Sequence, residues 1–170
     1  MDPQLNGDTQ MKYFKRLKVY KSKNVIYNPE TGRSTSYDWW NLTQRISGVL
    51  VLNEYKYSVT TAKHIDKVYC TLKDTGTPIG LEVTSPYNLE LHLYGAGGVI
   101  RAIKWQLQEL DRVLTKHHAP KARTYSGAAN DRRFEIARMA KNLVNLHKLL
   151  DLVEARSKAA EVAADRQIAK

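Results

Sequence analysis

The chain has 170 residues, with 27 Lys and Arg against 17 Asp and Glu and a formal net charge of +10. That length admits one cored domain with an appendage and excludes two ordinary domains, while the positive surplus favours anionic partners such as nucleotides, nucleic acid or an acidic protein surface. A single cysteine, Cys70, excludes an internal disulfide and fits a reducing compartment, and no run approaches the roughly 18 apolar residues of a membrane span.

Met1 to Gln10 is polar, lacks the apolar stretch of a signal peptide and reads as a disordered lead, with Met11 as a candidate native start. Lys12 to Tyr20 alternates loosely and Val25-Ile26-Tyr27 is apolar, which predicts two short strands, each with one wet face. Asn28-Pro29-Glu30-Thr31-Gly32 is a turn, because Pro29 fixes its own φ and Gly32 supplies a positive-φ position. Arg33 to Asp38 is then expected to run back as a partner strand. Trp39 to Ile46 and Val49 to Tyr57 flank Ser47-Gly48, a connection short enough for a two-residue hairpin. Val49-Leu50-Val51-Leu52 is apolar on both faces, which predicts the central and most buried strand. Alternation at Trp39-Trp40 puts one ring in the core and leaves the other exposed. There, near Tyr37, Tyr55 and Tyr57, it could stack on a base, although packing the sheet against a helix is the plainer role for such rings.

At Ser58-Val59-Thr60-Thr61 the pattern switches, and Ser58 or Thr60 can cap a helix. Ile65, Val68 and Leu72 recur at helical spacing and Gly76 with Pro78 supplies a stop, which predicts a helix over 60–75 laid across the sheet. Ile79 to Thr84 is expected to return as a strand, Ser85-Pro86 breaks it, and Leu89 to Leu93 is a further strand or the start of a covering segment. Gly95-Ala96-Gly97-Gly98 marks a boundary. Beyond it Ile100, Ile103, Leu107, Leu110 and Leu114 step by three and four. After a break at Ala119-Pro120-Lys121, Ile136, Met139, Leu143, Leu146, Leu150 and Val153 step likewise. The predicted class is therefore α+β: a small antiparallel sheet with one packed helix over 11–94, then a C-terminal antiparallel helical hairpin over 95–170. Matched seams predict a homo-oligomer. After Glu154 the seam positions turn to Ser, Ala and Gln, so the last turns are expected to stick out or fray.

The hairpin tip concentrates charge. Arg112, Lys116, Lys121, Arg123, Arg132 and Arg133 face only Asp131 among acidic residues between 112 and 133. Tyr125 lies inside this patch, and the start of the second helix points free N–H groups and a positive dipole towards the loop. Arginine forks, a stacking ring and a helix N-terminus suit phosphates and bases, though a solvated basic loop needs no ligand. The candidate ligand-binding residues are His118, Arg123, Tyr125, Asn130, Arg132 and Arg133. His117-His118 lacks acidic or Cys partners at ligand spacing, so no metal is expected, and His64 reads as a hydrogen-bonded structural residue. Phosphate-loop, nucleophile-elbow and zinc-helix motifs are missing, as are the paired His-x-Thr motifs of small cyclic-nucleotide phosphodiesterases, so neither catalysis nor a cofactor is expected.

Ser36-Tyr37-Asp38-Trp39-Trp40 and the stretch from Asn53 to His64 resemble a motif pair of small phage-encoded proteins, SY-x-WW followed by N-x-Y-x-YS-x-TT-x-x-H. The resemblance spans roughly residues 11–85. A sheet domain followed by two helices is also similar to the layout of phage anti-Thoeris sponge proteins, which hold a cyclic ADP-ribose-type immune signal without cleaving it. That resemblance implies a phage anti-defence protein of the host cytoplasm that sequesters a nucleotide-derived signal. A nucleic-acid-binding or nuclease-inhibiting protein and a structural oligomer are the alternatives. In this reading residues 36–64 are scaffold, and the working charge lies at the helical tip.

Overall fold

The computed structural model describes residues 20–22, 24–28, 31–37, 39–74, 76–89, 95–118 and 126–168. Within them the elements are β1 (Tyr20–Ser22), β2 (Val25–Asn28), β3 (Arg33–Ser36), β4 (Trp40–Ile46), β5 (Val49–Asn53), α1 (Val59–Asp74), β6 (Leu81–Val83), α2 (Ala96–His118) and α3 (Ser126–Ile168). The architecture is α+β, and the chain divides into two units between residues 90 and 91, close to the glycine-rich boundary. The predicted lead over 1–10, most of the predicted strand over 12–20, and residues 90–94 lie outside the described residues.

In the first unit the sheet runs β1-β2-β3-β4-β5-β6, antiparallel throughout except that β6 pairs parallel to β5. The departure from an all-antiparallel sheet comes from α1, because a helical crossover returns the chain in the direction it left. Ser47 (φ 48°) and Gly48 (φ 80°) close β4 onto β5 with Ile46 opposite Val49. Both central residues take the positive φ that a two-residue hairpin with the sheet's twist requires. Val49–Asn53 is interior rather than central, since only β6 lies outside it. β3 and β5 end earlier than alternation predicts, at Ser36 and Asn53.

A bulge shapes β4. Ser34 stands opposite Thr43 and Thr35 opposite Asn41, so Leu42 has no partner in the ladder. The extra residue brings Trp40 opposite Ser36, on the face that α1 covers. There Val25, Trp40, Leu42 and Leu50 pack with Ile65, Val68 and Leu72 of α1. Burying each such side chain is worth about 1.5–3 kcal/mol, which makes this cluster the main adhesive of the unit. Ser58 caps α1, its Oγ accepting from the Thr61 amide at 3.1 Å. At the other end Gly76 (φ 63°) donates to Lys73 and Thr77 to Leu72, the paired bonds of a Schellman stop. Cys70 is exposed on α1.

In the second unit α2 and α3 pack on one another, and the buried Asn142 Nδ2 donates to Gln106 Oε1 at 2.7 Å. That bond lies at comparable distances along the chain from the end of α2 and the start of α3, which 119–125 connects, so the helices are antiparallel. The stripe that α2 buries is Val99, Ala102, Ile103, Gln106 and Val113, with Ile100 and Leu107 exposed. This is a rotation from the predicted Ile100–Leu114 seam: the stripe's centre takes small and polar residues, which a count of large apolar side chains passes over. On α3 the buried positions are Asn142, Leu146, Leu149 and Val153, of which the predicted series contains two. The last turns do stick out, as unbroken helix to Ile168 with residues 154–167 all exposed. Ala, Glu, Lys and Arg dominate there, and their intrinsic preference sustains a helix that packing does not.

Candidate functional site

The two motif halves meet. Ser36, at the end of β3, is fully buried, and its Oγ lies 2.7 Å from Nδ1 of His64 in the second turn of α1. The next residue, Tyr37, has its amide held by the Asn24 carbonyl at 2.8 Å and its ring 5.4 Å from the His64 ring. Its φ of 54° is a left-handed conformation, which costs a residue with a bulky side chain roughly 1–2 kcal/mol. Burial, and then the Lys67 ammonium one turn along α1, lower the His64 pKa below its ordinary value.

Trp39 and Trp40 divide as alternation predicts: Trp40 is 2 % exposed and Trp39 46 %. Trp40 packs on Tyr55 (6.1 Å between centroids) and Tyr57 (5.1 Å), and Tyr57 meets Trp39 edge-on at 5.3 Å. Tyr37 is 43 % exposed and Tyr57 57 %, so these two and Trp39 present ring surface to solvent around one hairpin turn. Lys56, next to Tyr57 in the chain, is exposed, as are Lys63 and Lys67 on α1.

Side chains remote in sequence hold the frame. Asn88 Nδ2 donates to the Trp39 carbonyl while its Oδ1 accepts from the Asn41 amide at 2.9 Å, so one side-chain amide grips the backbone on either side of Trp40. Asn41 Nδ2 in turn donates to the Leu89 carbonyl at 2.9 Å. Asn53 accepts from the amides of Ser85 (3.0 Å) and Tyr55 (3.2 Å) and donates to the Ser85 carbonyl (3.1 Å), fixing the path that carries Tyr55 and Tyr57 out of the sheet. Among the described residues the buried indole N–H of Trp40 has no hydrogen-bond acceptor. Ser36, Tyr37, Trp39, Trp40, Asn53, Tyr55, Tyr57, Ser58, Thr61 and His64 thus form one connected arrangement with an exposed aromatic face.

At the helical tip, Arg123 and Tyr125 lie outside the described residues. His118 falls at the end of α2 and Asn130 in the first turns of α3, their side chains likewise outside. Arg133 is exposed and Arg132 half-buried near the start of α3. Arg112 pairs with Glu109 of the same helix at 2.7 Å, on the surface of α2. Among the described residues no three His, Cys, Asp or Glu side chains gather as a metal site, and no helix is long and apolar enough to cross a membrane. Comparison with known protein families, curated proteins and solved structures finds no match to this chain.

The Ser36–His64 pair and the Asn88 grip escape a reading of the sequence, because their partners are 28 and 49 residues apart. The motif spacing itself was the available signal. It gathers eleven polar and aromatic positions at two places that only folding brings together.

Proposed function

We propose that the protein binds and sequesters a nucleotide-derived anionic ligand without cleaving it, the base stacking on Trp39 between Tyr37 and Tyr57. The observation that carries this reading is the set of three exposed rings on a frame fixed by Asn88, Asn53 and the Ser58 cap. Stacking a base on such a ring is worth about 1–3 kcal/mol and tolerates any base. The exposed Lys56 next to Tyr57 in the chain, Lys67 one turn along α1 from His64 and the overall charge of +10 support an anionic ligand. The Ser36 hydroxyl is buried against His64, which suits it to orienting the ring rather than attacking a substrate.

An anti-defence role for this binding rests on the phage resemblance. Its test is mass spectrometry of small molecules released by heat from protein expressed beside active defence systems. An intact phosphorylated nucleotide is the expected release; a cleaved product, or none, overturns sequestration. A small nucleotide should lose affinity only modestly with salt, and a steep loss would identify nucleic acid as the partner instead. In the same assay Arg132→Glu with Arg133→Glu reports on the tip, where loss of binding would move the site to α3.

A further inference from the structure

Ser36 carries one proton and must place it. Its side chain is fully buried, and among the described residues the partner of its Oγ is His64 Nδ1. If Nδ1 held the imidazole proton it would donate to Oγ, and the serine's own proton would be left buried without an acceptor. With Nδ1 bare, Ser36 donates and both groups are satisfied. An unused lone pair on Oγ costs far less than an orphaned hydroxyl proton. The same ordering of hydroxyls occurs two residues earlier on β3: Thr43 gives its proton to the Gly32 carbonyl at 2.9 Å, so Ser34 gives its own to Thr43 Oγ1 at 2.6 Å.

The His64 proton then sits on Nε2, at the far side of the ring from Ser36. His64 is only partly buried, it borders the exposed Tyr37 ring, and Lys67 lies one turn along the same helix, at the spacing that makes side chains neighbours. We infer that Ser36 is a positioning residue that holds His64 as its Nε2–H tautomer, and that this N–H and the Lys67 ammonium form a subsite for a phosphate oxygen beside the aromatic rings. The inference rests on the nucleotide reading above and names where the phosphate goes. Burial and the Lys67 charge keep the imidazole neutral at neutral pH, so its donor is directional rather than a diffuse charge.

Two measurements on the full chain test it. Imidazole nitrogen NMR, with the His64 signals assigned by their loss in His64→Gln, is expected to show the proton on Nε2 and a shift towards mixed tautomers in Ser36→Ala. A proton on Nδ1 in the unsubstituted protein overturns the role of Ser36. Tryptophan fluorescence titrations with the four nucleoside 5′-monophosphates and their parent nucleosides read the subsite. The monophosphate is expected to bind about tenfold or more tightly than its nucleoside, the scale of one charge-assisted hydrogen bond. Ser36→Ala, and the surface substitution Lys67→Gln should the first variant not fold, are each expected to bring that ratio towards one. Equal affinity for nucleoside and monophosphate in the unsubstituted protein overturns the phosphate subsite and leaves the stacking surface standing. No response to either probe overturns the stacking surface itself.

Discussion

At the scale of the residue, the two adjacent tryptophans do different work, and substitution should separate them. Trp39→Ala is expected to cost about 1–3 kcal/mol of ligand binding with little change in the urea midpoint, since almost half of the ring is already in water. Trp40→Ala is expected to cost about 3–5 kcal/mol of folding stability, because it empties the cluster under α1. Equal loss of stability in both would contradict the division. His64 adds a pH effect whose sign is set by its lowered pKa. The neutral form is the one the fold favours, so its contribution is complete above about pH 6.5 and is lost as pH falls through the lower folded value. Among the described residues the charge that acts on it is the Lys67 ammonium of α1 and the ring against it is Tyr37 of the turn, and neither supplies a compensating negative charge. Chemical denaturation at pH 7 and pH 5.5 should show a smaller drop for His64→Gln than for the parent chain.

At the scale of the element, what was legible in the sequence follows from how local each cause is. The Ser47-Gly48 turn, the Ser58 cap and the Gly76 stop depend on a few neighbouring residues, and all three are in place. The parallel pairing of β6 and the bulge at Leu42 depend on tertiary contacts that no window of sequence contains. The site divides likewise: the exposure of Trp39 was readable from alternation, whereas the meeting of Ser36 with His64 required β3 and α1 to be packed. The helix pair teaches a further lesson, since its buried stripe runs through Gln106 and Asn142 rather than between them. Asn142→Leu leaves the Gln106 amide without its partner and is expected to cost about 1–3 kcal/mol in a urea titration. Adding Gln106→Leu should recover most of that loss, because two apolar groups then replace two polar ones. A double variant as unstable as the single one would show that the pair matters for some other reason.

At the scale of the whole molecule, the two units invite separate handling. By its helical rise α3 is about 64 Å long and α2 about 34 Å, so one helix outruns the other by several turns. Ending the chain after Glu154 is expected to lower the helical signal in circular dichroism while leaving the thermal midpoint within a few degrees, since every described side chain beyond that point is exposed. Self-association, expected from the stepped seams, has to use what the helix pair leaves uncovered. Ile100 and Leu107, one heptad apart, are both exposed on α2. Sedimentation should therefore show an oligomer that Ile100→Lys with Leu107→Lys returns to monomer, and a monomeric parent chain would remove the expectation.

The left-handed backbone at Tyr37 has a consequence for descent. Gly, Asn or Asp would occupy that conformation with less strain, so folding alone favours replacing the tyrosine. Under the proposed function, a lineage that uses the ligand keeps the ring against this pressure, and one that has abandoned it is free to drift to the more comfortable residue. Position 37 should then mark, across related chains, which of them bind.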